Sequence, residues 1–126
     1  MIQIYSENIT VAENAVFPLE SVGLKIGCSA SVIGSTITLN ADGVYKFDVD
    51  AALEPQTAGI VAVQMLKDGA ELAQANSYFT GTTGNTGTLS FCALIKCSSA
   101  PANITLLNES AGAVTGRINV VVTKVR

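Results

Sequence analysis

Asp42-Gly43-Val44-Tyr45-Lys46-Phe47-Asp48-Val49-Asp50-Ala51 alternates strictly once its opening turn is passed. Tyr45, Phe47, Val49 and Ala51 face one way, and Val44, Lys46, Asp48 and Asp50 face the other, because successive side chains of a strand point to opposite sides. The segment therefore reads as a half-buried strand with an aromatic inner face, running to about Leu53. Gly43, Tyr45 and Phe47 are its core signature, and the strand is expected at the centre of its sheet.

Working outward, Val, Ile and Thr dominate between turn signals that recur about every ten residues, the pattern of an all-β sandwich or barrel. Ile9-Thr10-Val11 and Val16 to Leu19 read as short early strands, the second at an edge because of Pro18. Leu24 to Val32 reads as one strand and Thr36 to Leu39 as the next, with Gly34-Ser35 between them. Ile60 to Leu66 is apolar enough to be central and covered on both faces, and Lys67-Asp68-Gly69 is a hairpin signal leading into Glu71 to Thr80. Gly81 to Gly87 reads as a flexible hairpin tip or an inter-subunit contact. Strands at Thr88 to Cys97, Asn103 to Asn108 and Arg117 to Val125 complete the chain. About eight to ten strands without crossover helices predict a single antiparallel β-sandwich, a jelly roll over residues 1–126.

Composition narrows the function. Only 13% of the 126 residues are charged, about half the usual share, and mean hydropathy is +0.43. No apolar run approaches the roughly 20 residues of a membrane helix, so no membrane insertion is expected. Surplus apolar surface then belongs at a subunit interface, and a homo-oligomer is expected. A net charge of -3 with scattered Lys and Arg argues against nucleic acid as a partner. Met1 to Glu7 lacks the basic start and apolar core of a signal peptide, which suggests synthesis in a cytoplasm. Three cysteines, Cys28, Cys92 and Cys97, fit neither a disulfide framework nor a zinc site and read as buried thiols, Cys92 and Cys97 pointing to opposite faces.

Little of the chain suggests chemistry. It has no histidine, which removes the usual triads and the commonest acid-base at neutral pH. No phosphate-binding or nucleophile motif is present, so no catalytic residue and no cofactor is expected. Asp48 and Asp50 are the one candidate pair for Ca²⁺, but with Lys46 beside them they read first as a solvated strand face. Three Asn-x-Ser/Thr sequences, at Asn8, Asn103 and Asn108, are frequent enough by chance in so Asn- and Thr-rich a chain. For a sugar site, Tyr78 with Asn76 and Asn85 is the candidate set.

Gly43-x-Tyr45-x-Phe47 after Ile37-x-Leu39 resembles the signature of the tumour-necrosis-factor and complement globular-head jelly-roll superfamily. About twenty residues later, Val63-x-Met65-x-Lys67-Asp68-Gly69 looks like that family's following hairpin, with Asp where Asn is usual. The resemblance covers roughly residues 8 to 126. It departs at the end, where no aromatic follows Phe91, so animal-type cytokine or complement activity is not expected. Ile4-Tyr5-Ser6-Glu7-Asn8 with Ile26-Gly27-Cys28 is similar to small jelly-roll proteins encoded beside virion genes of phages, and to the trimeric tips of spore-surface filaments.

The resemblance implies a homotrimer of TNF-like sandwiches and a non-enzymatic structural or adhesion protein of a virion, a capsid decoration or fibre head. Its partners would be other virion proteins or a bacterial-surface glycan. The alternative is a carbohydrate-binding module of a bacterial cell or spore surface. Recognition is expected in loops on the rigid scaffold: Glu54, Gln56 and Thr57; Thr82, Thr83 and Asn85; Asn108 and Glu109.

Overall fold

In the computed structural model, which describes residues 1–126, the alternating Tyr45 segment forms β5 (Gly43–Pro55). Tyr45, Phe47, Val49, Ala51 and Leu53 are all buried, while Lys46 and Asp50 are exposed. Each large apolar side chain withdrawn from water contributes about 1.5–3 kcal/mol before entropy is counted, so this one strand anchors much of the core. The Tyr45 hydroxyl donates to the Ala41 carbonyl at 2.7 Å, which satisfies the one polar atom on that inner face. Burial is also what pushes its phenol pKa up.

The strands before it are β1 (Ile2–Val11), β2 (Ser21–Lys25), β3 (Ala30–Ile33) and β4 (Thr36–Leu39). After it come β6 (Gly59–Lys67), β7 (Ala70–Gly81), β8 (Gly87–Cys97), β9 (Ala102–Asn108) and β10 (Val114–Lys124). They form two five-stranded antiparallel sheets, ordered β2-β1-β10-β5-β8 and β3-β4-β9-β6-β7, with one apolar core between them. Asp68 (φ 50) and Gly69 (φ 85) make the tight β6–β7 hairpin that the Asp-Gly pair announced. β5 is interior but lies next to the edge strand β8, and β10 holds the centre of the sheet.

Several expectations are corrected. β1 begins at Ile2 rather than Ile9, because a bulge between Ser6 and Ile9 shifts its inward phase from even to odd positions. Asn8 turns the corner at φ 53, so no single alternation runs through the strand. Val16 to Leu19 is no strand. Val16 makes one isolated bridge to Leu107, and the Phe17 N–H donates to the Leu106 carbonyl at 2.7 Å, extending the row begun by β4. Leu24 to Val32 splits at Ile26 to Ser29, where the chain passes from one sheet to the other as β2 ends and β3 begins. Gly81 to Gly87 is likewise a crossing between sheets, joining β7 to β8, not a hairpin tip. β6 is covered on its inner face by Val61, Val63 and Met65, whereas Ile60 on its outer face is half exposed.

Candidate functional site

Antiparallel pairing carries the β5–β6, β7–β8 and β9–β10 connections to one end of the sandwich. Val114 stands opposite both Pro55 and Val11, and Gly87 stands opposite Leu53. There the Gln56 N–H donates to the Ala113 carbonyl at 2.9 Å, and the Gln56 side-chain amide donates to Thr115 Oγ1 at 3.3 Å. Gln56 and Thr57 are exposed beside the β9–β10 connection, Glu54 is half-buried opposite Thr115 on β5, and Glu109 is exposed in a groove with Ile60, Asn76 and Tyr78 of the other sheet. Thr82, Thr83 and Asn85 are exposed in the adjoining connection, where the Asn85 amide donates to Thr82 Oγ1 at 2.8 Å.

Asn108 is the exception among the loop residues. It is 0% exposed, and its side-chain amide donates to the carbonyls of Val11, Ala12 and Gly112 at 3.1, 3.1 and 3.3 Å. Its Oδ1 accepts the Ser110 N–H at 3.0 Å. Asn108 therefore ties β1, β9 and the β9–β10 loop together and presents no atom to a ligand. The set Tyr78, Asn76 and Asn85 is also not assembled. Asn76 shares a groove with the exposed Tyr78 and donates to the Ala73 carbonyl, whereas Asn85 lies in the β7–β8 connection.

Asp48 and Asp50 stand on the outer face of β5, beside Ser90 and Cys92 of β8. The Lys46 ammonium is 3.9 Å from Asp48 Oδ2, and no group of three or more His, Cys, Asp or Glu side chains gathers around the pair. Of the thiols, only Cys97 is buried; Cys28 and Cys92 are exposed, which corrects the reading of three buried thiols. The alternation of β8 explains it, since Leu89, Ala93, Ile95 and Cys97 take the inner face and leave Cys92 outside. The Cys92 thiol donates to Asp48, and that hydrogen bond, more than desolvation, raises its pKa.

Two polar features escaped the sequence reading. Gln64 is buried, and its side-chain amide donates to the carbonyls of Met65, Leu72 and Ala75, filling the bulge by which β7 departs from β6. Glu109 shares a hydrogen bond with Glu71, which raises its pKa together with desolvation and the Glu71 charge. A carboxyl raised in the folded state adds stability below the unfolded value of 4.5, and that contribution is lost as pH rises through the folded pKa. Glu109→Gln should therefore flatten the fall of melting temperature with pH just above 4.5, read by thermal denaturation across a pH series. An unchanged slope would show that the two carboxyls do not share a proton.

No family model matches the chain, and no curated protein matches it by sequence. Solved structures do. The PRD1 vertex protein P5 superposes with a TM-score of 0.68 at 16% identity, covering 99% of this chain and 96% of its own. The globular domain of zebrafish complement 1qA protein gives 0.69 at 10% identity, covering 95% and 94%. Murine APRIL gives 0.66 at 5% identity, covering 94% and 96%. The chain is a TNF-like jelly roll. The likeness spans almost the whole of each partner and carries the TNF-like fold, to which the Gly43-x-Tyr45-x-Phe47 signature had pointed.

Proposed function

We propose that this TNF-like chain is a non-enzymatic structural or adhesion protein of a bacteriophage particle, a trimeric capsid decoration or fibre head displaying its end loops for attachment. The observation that carries the reading is the distribution of exposed apolar side chains. Met1, Tyr5, Val22, Leu24 and Ile26 cluster on the β1–β2 flank, and Ile60, Tyr78 and Leu94 on the β6–β7–β8 flank. These flanks are opposite ends of the two sheets. Two different patches on opposite flanks suit head-to-tail contact, which generates a closed ring when the rotation closes.

Three subunits to the ring is what the family resemblance implies. The likeness to a phage vertex protein supports the virion setting. The three structures compared above are not named for a catalytic activity, which supports a role without chemistry. Sedimentation equilibrium at micromolar concentration should return about 39 kDa, three times the chain mass of 13.0 kDa. Leu94→Asp should release folded monomer, because a charge there meets an apolar partner. A monomer from the unmodified chain would sink the proposal.

A further inference from the structure

The face of the second sheet turned away from the core holds a shallow concavity of about 600 Å³, remote from the end loops. Thr36 and Thr38 of β4, Asn103 and Thr105 of β9, Asp68 of the β6–β7 turn and Ile33 of β3 line it. β4 and β9 pair with Ile37 opposite Ile104 and Thr38 opposite Asn103. Two outward rows result, Ile33-Thr36-Thr105 and Ser31-Thr38-Asn103, about 7 Å apart along the strands.

The polar groups are fixed in advance. The Asn103 N–H donates to Asp68 Oδ1 at 2.9 Å, and the Asp68 N–H donates to the Asn103 carbonyl at 2.8 Å. The Thr38 hydroxyl donates to Asn103 Oδ1 at 3.3 Å, which commits the amide oxygen and leaves its NH₂ without a protein partner. Asp68 keeps its second oxygen free, because Lys67 is turned away to donate to the Lys96 carbonyl at 2.7 Å. An open amide donor therefore stands beside an open carboxylate acceptor, with the Thr36 and Thr105 hydroxyls next to them.

That arrangement matches a vicinal diol, in which one hydroxyl donates to the carboxylate and its neighbour accepts from the amide. The lone negative charge disfavours an anion. Ile33, 76% exposed at the rim, offers an apolar surface to the C–H face of a ring. We propose that this concavity binds a neutral hexopyranose, with Asp68 and Asn103 as its ligating pair. The site adds a point of attachment away from the end loops and rests on the attachment reading for its purpose. It borders the β3 edge of its sheet, with Asp68 and Asn103 set inward from that edge, and an oligomer would repeat it in every subunit, where avidity multiplies a weak single-site affinity.

Amide chemical shifts of the intact protein, followed while methyl glucoside, methyl galactoside, methyl mannoside and N-acetylglucosamine are each added, test this directly. At least one sugar should produce saturable shifts at Gly69, Asn103 and Thr105, with a dissociation constant of roughly 1 mM or weaker. Asn103→Ala should weaken binding about tenfold. Thr105→Val, which keeps the strand-favouring shape, should weaken it in a protein whose fold is intact, and the loop variant Asn85→Ala should leave it unchanged. No saturable shift with any of the four sugars, or shifts centred on Tyr78 or the end loops, overturns the site. Sedimentation separates the two proposals: a trimer that binds no sugar overturns only this one, and a monomer that binds overturns only the ring.

Discussion

Gly116→Ala should destabilise the chain by about 3 kcal/mol or more, a large share of the roughly 5–15 kcal/mol that keeps a domain folded. Gly116 has φ 149, and a Cβ there would run into the Ala52 carbonyl oxygen while lying 3.1 Å from Leu53 Cα. The obstacle is β5 backbone, and Gly116 itself sits on an interior strand, paired with Ile9 of β1 on one side and Leu53 of β5 on the other. Neither neighbour can retreat without breaking a ladder. Urea unfolding followed by circular dichroism gives the difference directly, with Thr115→Ala as a neighbouring control expected to change stability by less than about 1 kcal/mol. A Gly116→Ala midpoint equal to that of the control would contradict the packing described for β10.

Asn108→Ala should cost about 2–4 kcal/mol, because it strands several polar groups in a site with no access to water. The carbonyls of Val11, Ala12 and Gly112 lose their shared donor, and the Ser110 N–H loses its acceptor. Asn108→Asp should be as damaging at neutral pH, since it sets a carboxylate against three carbonyl oxygens, and should recover as acid protonates it. Thermal denaturation at pH 7 and at pH 4 distinguishes the two variants. An aspartate variant as stable as the parent at pH 7 would mean that the amide is not the donor.

The Tyr45 strand, the Asp68-Gly69 turn and the TNF-like fold were legible because each rests on local chemistry: strict alternation, tolerance of positive φ, and spaced apolar anchors. The same locality hid the rest. Gln64 reads as an interruption of an apolar run, although its amide fills a bulge made by residues of another strand. Asn108 reads as the start of a polar loop, although two of its partners, Val11 and Ala12, lie almost a hundred positions away at the end of β1. A polar residue buried for its hydrogen bonds carries the same letter as one exposed to solvent, and only the fold tells them apart. Gln56 and Thr57 meet the β9–β10 connection because antiparallel pairing gathers alternate connections at one end, which the strand order alone implies. The concavity around Asp68 and Asn103 depends on β9 lying between β4 and β6, and no spacing along the chain announces that adjacency.

The bulge in β1 bears on how the chain finds one arrangement among many. A regular alternating strand can slide by two residues and keep every apolar side chain inside, so its pattern alone does not forbid the slip. In β1 the extra residue falls between Ser6 and Ile9, beside the only glycine of β10. Moved by two places, that irregularity would face Ile118 or Val114, whose side chains already occupy the core. Bulge and glycine act as key and slot, so β1 can close against β10 in one register only.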